Sequence, residues 1–149
     1  RANGQWSSVT VSNNRFYGSE IGVIKENHPD NVFSDQLPGG TKVVIQTNVH
    51  DKGRADLIIY NWEDAGQVPV SLSEVMPTGA EFSIHSVFDL WGDPVYSGIY
   101  QGGEISIPMG SVDPPQPNID PSGITGEDNP GRKFGVFVLR SNYELRAQK

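Results

Sequence analysis

Apolar and polar residues alternate in short runs along this chain, and glycine, proline, asparagine or aspartate interrupts the runs about every ten residues. Alternation with a period of two is the mark of a half-buried strand. It predicts strands over residues 8–12, 20–25, 41–49, 55–62, 67–72, 80–86, 95–101, 104–107 and 134–140. The run 55–62, Ala-Asp-Leu-Ile-Ile-Tyr-Asn-Trp, is the most apolar of them. Extended, it sends Ile58, Tyr60 and Trp62 to one face and Leu57, Ile59 and Asn61 to the other. Both sets are largely apolar. The segment therefore reads as a central strand packed on each side, with Tyr60 and Trp62 in the core.

The punctuation refines this picture. Asn13-Asn14 suits a turn with left-handed backbone angles. Gly102-Gly103 supplies the positive angles of a two-residue turn and predicts a hairpin of 95–101 with 104–107. Pro69 has no N–H to donate, which puts 67–72 at a sheet edge or a bulge. Ser73-Glu74-Val75-Met76 fits one helical turn, and no segment has the period and length of an ordinary helix. Residues 26–40 and 108–132 read as long loops. The second holds six of the 11 prolines and is expected to lie over the surface as a connection. The fold expected is all-β: a single domain, 1–149, built as an antiparallel β-sandwich of about eight or nine short strands.

With 149 residues, the chain is long enough for a substantial core. Its net charge of −7 argues against nucleic acid or an anionic membrane surface as partner. No apolar window of about 18 residues is present to span a bilayer. Without cysteine there is no thiolate metal site, thiol nucleophile or redox pair. Residue 1 is Arg, and the chain reads as an excised or processed segment of a longer protein.

Candidate chemistry is sparse. No nucleophile elbow, phosphate-binding loop or zincin motif occurs. His28, His50 and His85 have no ligand spacing and read as surface or hydrogen-bonded histidines. Two carboxylates in a cleft would be needed for glycoside hydrolysis. Glu63, Asp64, Asp89 and Asp93 instead lie in turns, where such residues cap backbone amides. Asp113, Asn118, Asp120, Glu127, Asp128 and Asn129 crowd the proline-rich stretch with hard oxygen atoms, which would suit a structural Ca²⁺, although EF-hand spacing is absent. A solvated acidic loop is the plainer reading, and no other cofactor is expected.

The aromatic residues are more informative. Sugar rings present apolar C–H faces to Trp and Tyr, and their hydroxyls pair with Asp, Asn, Gln and Arg. Phe88, Trp91, Tyr96 and Tyr100 fall close together beside Asp89, Asp93 and Gln101. Tyr96, Gly98 and Tyr100 share a face of one predicted strand, where two exposed rings would span about 7 Å, near the length of one sugar unit. The candidate site is therefore Trp91, Tyr96 and Tyr100, with Asp89, Asp93 and Gln101 as polar partners. The competing reading is that the tyrosines pack in the core.

The order of motifs carries a resemblance. Gly53-Arg54-Ala55-Asp56-Leu57-Ile58-Ile59-Tyr60-Asn61-Trp62 is followed by Val70-Ser71-Leu72, a Pro-Thr-Gly turn and the aromatic stretch 88–94. After these come Tyr96-Ser97-Gly98-Ile99-Tyr100-Gln101-Gly102-Gly103, then Ile105-Ser106-Ile107-Pro108-Met109, and last Phe134-Gly135-Val136-Phe137-Val138-Leu139. This order resembles the C-terminal β-sandwich region of bacterial exported proteins that carry a right-handed parallel β-helix, many of them similar to polysaccharide lyases or glycoside hydrolases. Residues 9–18, Val-Thr-Val-Ser-Asn-Asn-Arg-Phe-Tyr-Gly, likewise resemble one β-helix rung with its asparagine turn, so that 8–25 would be a remnant or mimic of such a rung. Trp91 departs from the pattern, which usually has Phe or another apolar residue there.

The resemblance implies a secreted or periplasmic setting and a carbohydrate context. The function expected is that of a non-catalytic carbohydrate-binding accessory module of a secreted polysaccharide-degrading enzyme, partnered by a polysaccharide or oligosaccharide and by the catalytic domain of the parent enzyme. A ligand-free structural cap of a β-helix protein is the alternative, and a catalytic fragment of a glycoside hydrolase or lyase the third. The acidic charge favours a neutral glycan, unless Arg15, Lys25, Lys42 and Arg54 gather into a local basic patch.

Overall fold

A computed structural model describes residues 10–18, 27–113 and 130–143. Nine strands occur among them: β1 (Arg15–Tyr17), β2 (Val32–Ser34), β3 (Thr41–Thr47), β4 (Arg54–Asn61), β5 (Gln67–Ser71), β6 (Glu81–Ser86), β7 (Tyr96–Ile99), β8 (Glu104–Pro108) and β9 (Phe134–Ser141). The contacts divide the chain into two compact units, Arg1–Gly39 and Gly40–Lys149.

In the first unit β1 and β2 pair in parallel, Arg15 with Val32, Phe16 with Phe33 and Tyr17 with Ser34. Two residue types repeat in register. The Phe16 and Phe33 rings stack at 5.1 Å. Asn31, buried, accepts at Oδ1 from the backbone N–H and the side chain of Asn14, and donates from Nδ2 to the carbonyls of Val11 and His28. Asn13 takes φ 60°, the left-handed turn that its side chain tolerates. Of the strand predicted over 8–12, residues 10–12 are irregular and the rest lies outside the described residues, as does the strand predicted over 20–25. β2 falls inside what reads in sequence as a loop.

The second unit is an antiparallel sandwich. A five-stranded sheet, ordered β3-β4-β9-β6-β7, faces a two-stranded sheet, β5-β8. Every predicted strand from residue 41 onward is present, because each run offers one apolar face to the gap between the sheets. Ala55, Leu57 and Ile59 of β4, Phe82 and Ile84 of β6, and Phe137 and Leu139 of β9 fill that gap from one side. Val68, Val70, Ile105 and Ile107 fill it from the other. Val43 and Ile45 of β3, at the edge of the larger sheet, are only partly buried against this core. Pro69 lies in β5, whose sheet has only two strands, as its missing N–H requires. Leu72 accepts from the N–H groups of Val75 and Met76, closing the single helical turn expected there.

Two details of the sequence reading are corrected. Gly102 and Gly103 do take positive φ, 89° and 76°, but they join no hairpin. β7 pairs with β6, and β8 pairs with β5, so the turn carries the chain from one sheet to the other. Turn chemistry fixes local angles and says nothing about which strands pair. In addition, Pro108 belongs to β8, opposite Gln67, and Pro130–Arg132 forms a 3-10 turn. The connection between them is thus shorter than 108–132, and its residues 114–129 lie outside the described ones.

That connection is closed at its base. Met109 N–H donates to Gly66 (3.0 Å), and Gly110 N–H donates to the carbonyl of Gly131 (3.1 Å). Asn61 completes the closure. Fully buried, it donates from Nδ2 to the carbonyls of Ala65 (2.8 Å) and Arg132 (2.7 Å) and accepts from Ala65 N–H, while its own N–H donates to Lys133. A polar side chain is tolerated among aliphatic neighbours here because each of its groups has a partner.

Candidate functional site

The aromatic residues of β4 are not in the core. Leu57, Ile59 and Asn61 point into the sandwich, so Tyr60 and Trp62 must point away from it. Tyr60 is 36% exposed and Trp62 is half-buried. This corrects the expectation that both are core residues. The segment 57–62 is largely apolar on both faces, but the two-stranded sheet covers only one.

On the outer face of the five-stranded sheet these rings form a cluster. Tyr60 and Trp62 stack at 5.4 Å with their planes 15° apart. Phe134, directly opposite Tyr60 on β9, adds a third ring at 5.2 Å, tilted 56° and 42% exposed. Lys42 stands opposite Tyr60 on the other side, on β3. The Trp62 N–H donates to Gly40 (3.0 Å), so the ring hangs from a hydrogen-bonded end of the sheet. Ile58 and Val136 form the next row of this face, Asp56 and Val138 the row after that, and Arg54 and Arg140 the last. Phe134 and Arg140 are six residues apart on one strand, about 20 Å.

Trp91 reaches the far end of this surface from the β6–β7 connection. It is 87% exposed, and the Arg140 guanidinium sits 5.8 Å from its ring centre. Asp89 accepts at Oδ1 from Gly92 N–H (2.9 Å), which forms the turn that presents Trp91. Its carboxylate thus serves first as a positioning group. Asp93 is exposed near Trp91 in sequence, and exposed Gln101 makes one long contact, Nε2 to the Ile99 carbonyl (3.4 Å).

The two tyrosines of the predicted platform do not form one. Tyr100 is 2% exposed, meets Phe82 edge-on at 6.4 Å and donates from its hydroxyl to the Gly103 carbonyl (2.8 Å). A ring with no free face cannot stack on a sugar. Tyr96 packs against the core with its ring stacked on Phe82 at 5.8 Å. Both are there because β7 turns this face toward the gap between the sheets. Of the predicted residues, the structure therefore keeps Trp91, Asp93 and Gln101 on the surface, uses Asp89 to hold a turn, and draws Tyr96 and Tyr100 inward.

Elsewhere, an open groove of about 480 Å³ lies between the β3–β4 connection and the turn after β5, lined by Thr47, Val49, Lys52, Glu74, Met76 and Tyr143 among others. None of the predicted site residues lines it. Among the described residues no group of three or more His, Asp or Glu could hold a metal ion. Of the acidic set proposed for Ca²⁺, only Asp113 is described, and residues 118, 120 and 127–129 lie outside the described ones. Of the four cations considered for a local basic patch, Lys42 and Arg54 share the outer face. Arg15 belongs to the first unit, and Lys25 lies outside the described residues. No described helix is long and apolar enough to cross a membrane.

Sequence reasoning missed Phe134 and Arg140. Their only signal is register, since each is an outward residue of β9 opposite a residue of β4. Comparison with family models, with curated proteins and with solved structures returns no match.

Proposed function

We propose that the sandwich is a non-catalytic carbohydrate-binding accessory module of a secreted polysaccharide-degrading enzyme, and that it binds through the outer face of the five-stranded sheet. The observation that carries this reading is the exposed ring cluster of Tyr60, Trp62 and Phe134 on that face. Aromatic rings left on a surface cost solubility, and a contiguous group of them marks a recognition surface. Their flat faces match the C–H faces of sugar rings. The distance of about 20 Å from this cluster to the Arg140 end gives room for several sugar units along one glycan chain.

A second reading has its own observation. The in-register stacking of Phe16 on Phe33 and of Asn14 on Asn31, across a parallel strand pair, is the arrangement of successive coils in a β-solenoid. It favours a chain that belongs to a parallel β-helix protein, either as its glycan-binding appendage or as a structural cap without a ligand.

Affinity electrophoresis of the chain through a panel of polysaccharides separates these readings. Retardation by at least one polymer, reduced about 5- to 100-fold in affinity by Trp62→Ala, supports the module. The structural cap becomes the better account if no polymer retards the chain.

A further inference from the structure

Arg54 and Arg140 stand directly opposite each other on β4 and β9, both on the outer face. Like charges in that position repel, and their Cβ atoms lie about 5 Å apart. Neither makes an ion pair with a carboxylate among the described residues. The Nε of Arg54 is buried and has no hydrogen-bond partner, so a donor of fixed direction is left unused. The chain carries a net charge of −7, yet places these two arginines at facing positions of one sheet surface. Across the next strand, Ser83 stands opposite Arg140, and His85 Nε2 lies 3.2 Å from Ser83 Oγ. The buried Nδ1 of His85 likewise lacks a partner. Trp91 borders the pair, with one side of its ring next to Arg140 and 87% of its surface exposed.

We infer that Arg54, Arg140 and Trp91 form a subsite for a sugar residue bearing an oxyanion, either a carboxylate or a sulfate ester. The guanidiniums offer planar paired donors to the anion, which no lysine could offer in the same geometry. The anion relieves the repulsion between them. The indole stacks on the apolar face of the same sugar. This rests on the carbohydrate-binding reading and gives it a ligand class. It also reverses the expectation of a neutral glycan, because the local pairing of charges outweighs the acidic total at contact distance.

The test is affinity electrophoresis of the whole chain in gels containing polygalacturonate, κ-carrageenan or neutral hydroxyethylcellulose, with Arg140→Gln and Arg140→Lys compared at equal melting temperature. The expected result is retardation in one of the two anionic gels, despite repulsion between the acidic chain and the polyanion. Which gel retards the chain identifies carboxylate or sulfate. Arg140→Gln should weaken that retardation tenfold or more, and Arg140→Lys should restore only part of it. Retardation by hydroxyethylcellulose alone overturns the subsite and leaves the aromatic platform standing. Passage unretarded through all three gels counts against both. Unchanged retardation of Arg140→Gln in an anionic gel also overturns the subsite. Arg54→Gln, read in the same gels, should reproduce the loss.

Discussion

Over residues 57–62 the two faces of the β4 segment are each largely apolar, and they are opposite in fate. On the inner face Leu57 and Ile59 are sealed by Val68, Val70, Ile105 and Ile107, and Asn61 has every polar group paired. On the outer face Tyr60 is exposed, Ile58 and Trp62 are half-buried, and the Tyr60 and Trp62 rings pack on one another. Composition alone therefore does not make a core. A core needs a second apolar layer of matching shape, and the aliphatic side chains have one while the aromatic ones do not. Stability is lodged in the first face, and recognition is proposed for the second.

Mutations can break this contrast, and they rank by expected cost. Leu57→Ala, which opens a cavity between the sheets, should destabilise by about 2 to 5 kcal/mol in denaturant unfolding. Asn61→Ala should cost about 2 to 4 kcal/mol, because the Ala65 and Arg132 carbonyls and the Ala65 N–H lose their buried partner. Asn61→Asp should not rescue it, since a carboxylate cannot donate to either carbonyl. Trp62→Ala should cost only about 1 to 2 kcal/mol, the value of a half-buried ring and its stack on Tyr60. A loss as large as that of Leu57→Ala would show that the outer face is a second core and would remove the platform. Trp91→Ala should move stability by no more than about 0.5 kcal/mol while lowering retention on polysaccharide gels. A large drop in melting temperature with unchanged retention would make Trp91 a packing residue.

The strands of the sandwich were legible because period-two alternation and turn residues are local signals. β3 to β9 lie where the alternation puts them, to within two residues at each end. What was not legible depends on register between distant segments. Nothing near Tyr60 tells that Phe134 will stand beside it, and nothing near Arg54 announces Arg140. The choice of core face on β4 had a local mark that was passed over, since Arg54 and Asp56 share the face of Tyr60 and Trp62. Asn61 even pointed the wrong way, since a lone amide among aliphatics looks like a surface residue until its partners in the 62–65 turn and at Arg132 are known. Tyr96 and Tyr100 were misjudged by a correct inference about alternation: they do share a face, and that face is the inner one. β1 and β2 are three residues each, too short for alternation to register, and only the paired Asn and Phe positions betray them.

The closure of the long connection at Met109, Gly110, Gly131 and Asn61 has a consequence for how this protein can change. Once both ends of a segment are held by the body of the domain, its length becomes a question of polymer statistics. Doubling a closed loop adds only about 0.6 kcal/mol of closure entropy. Sequence inserted between residues 113 and 130 should therefore leave the melting transition almost where it is, whereas the same insertion at the Glu63–Gly66 turn would tear out the Asn61 knot. The connection is then a docking bay for foreign sequence, latched by the Met109 and Gly110 backbone bonds and by Asn61.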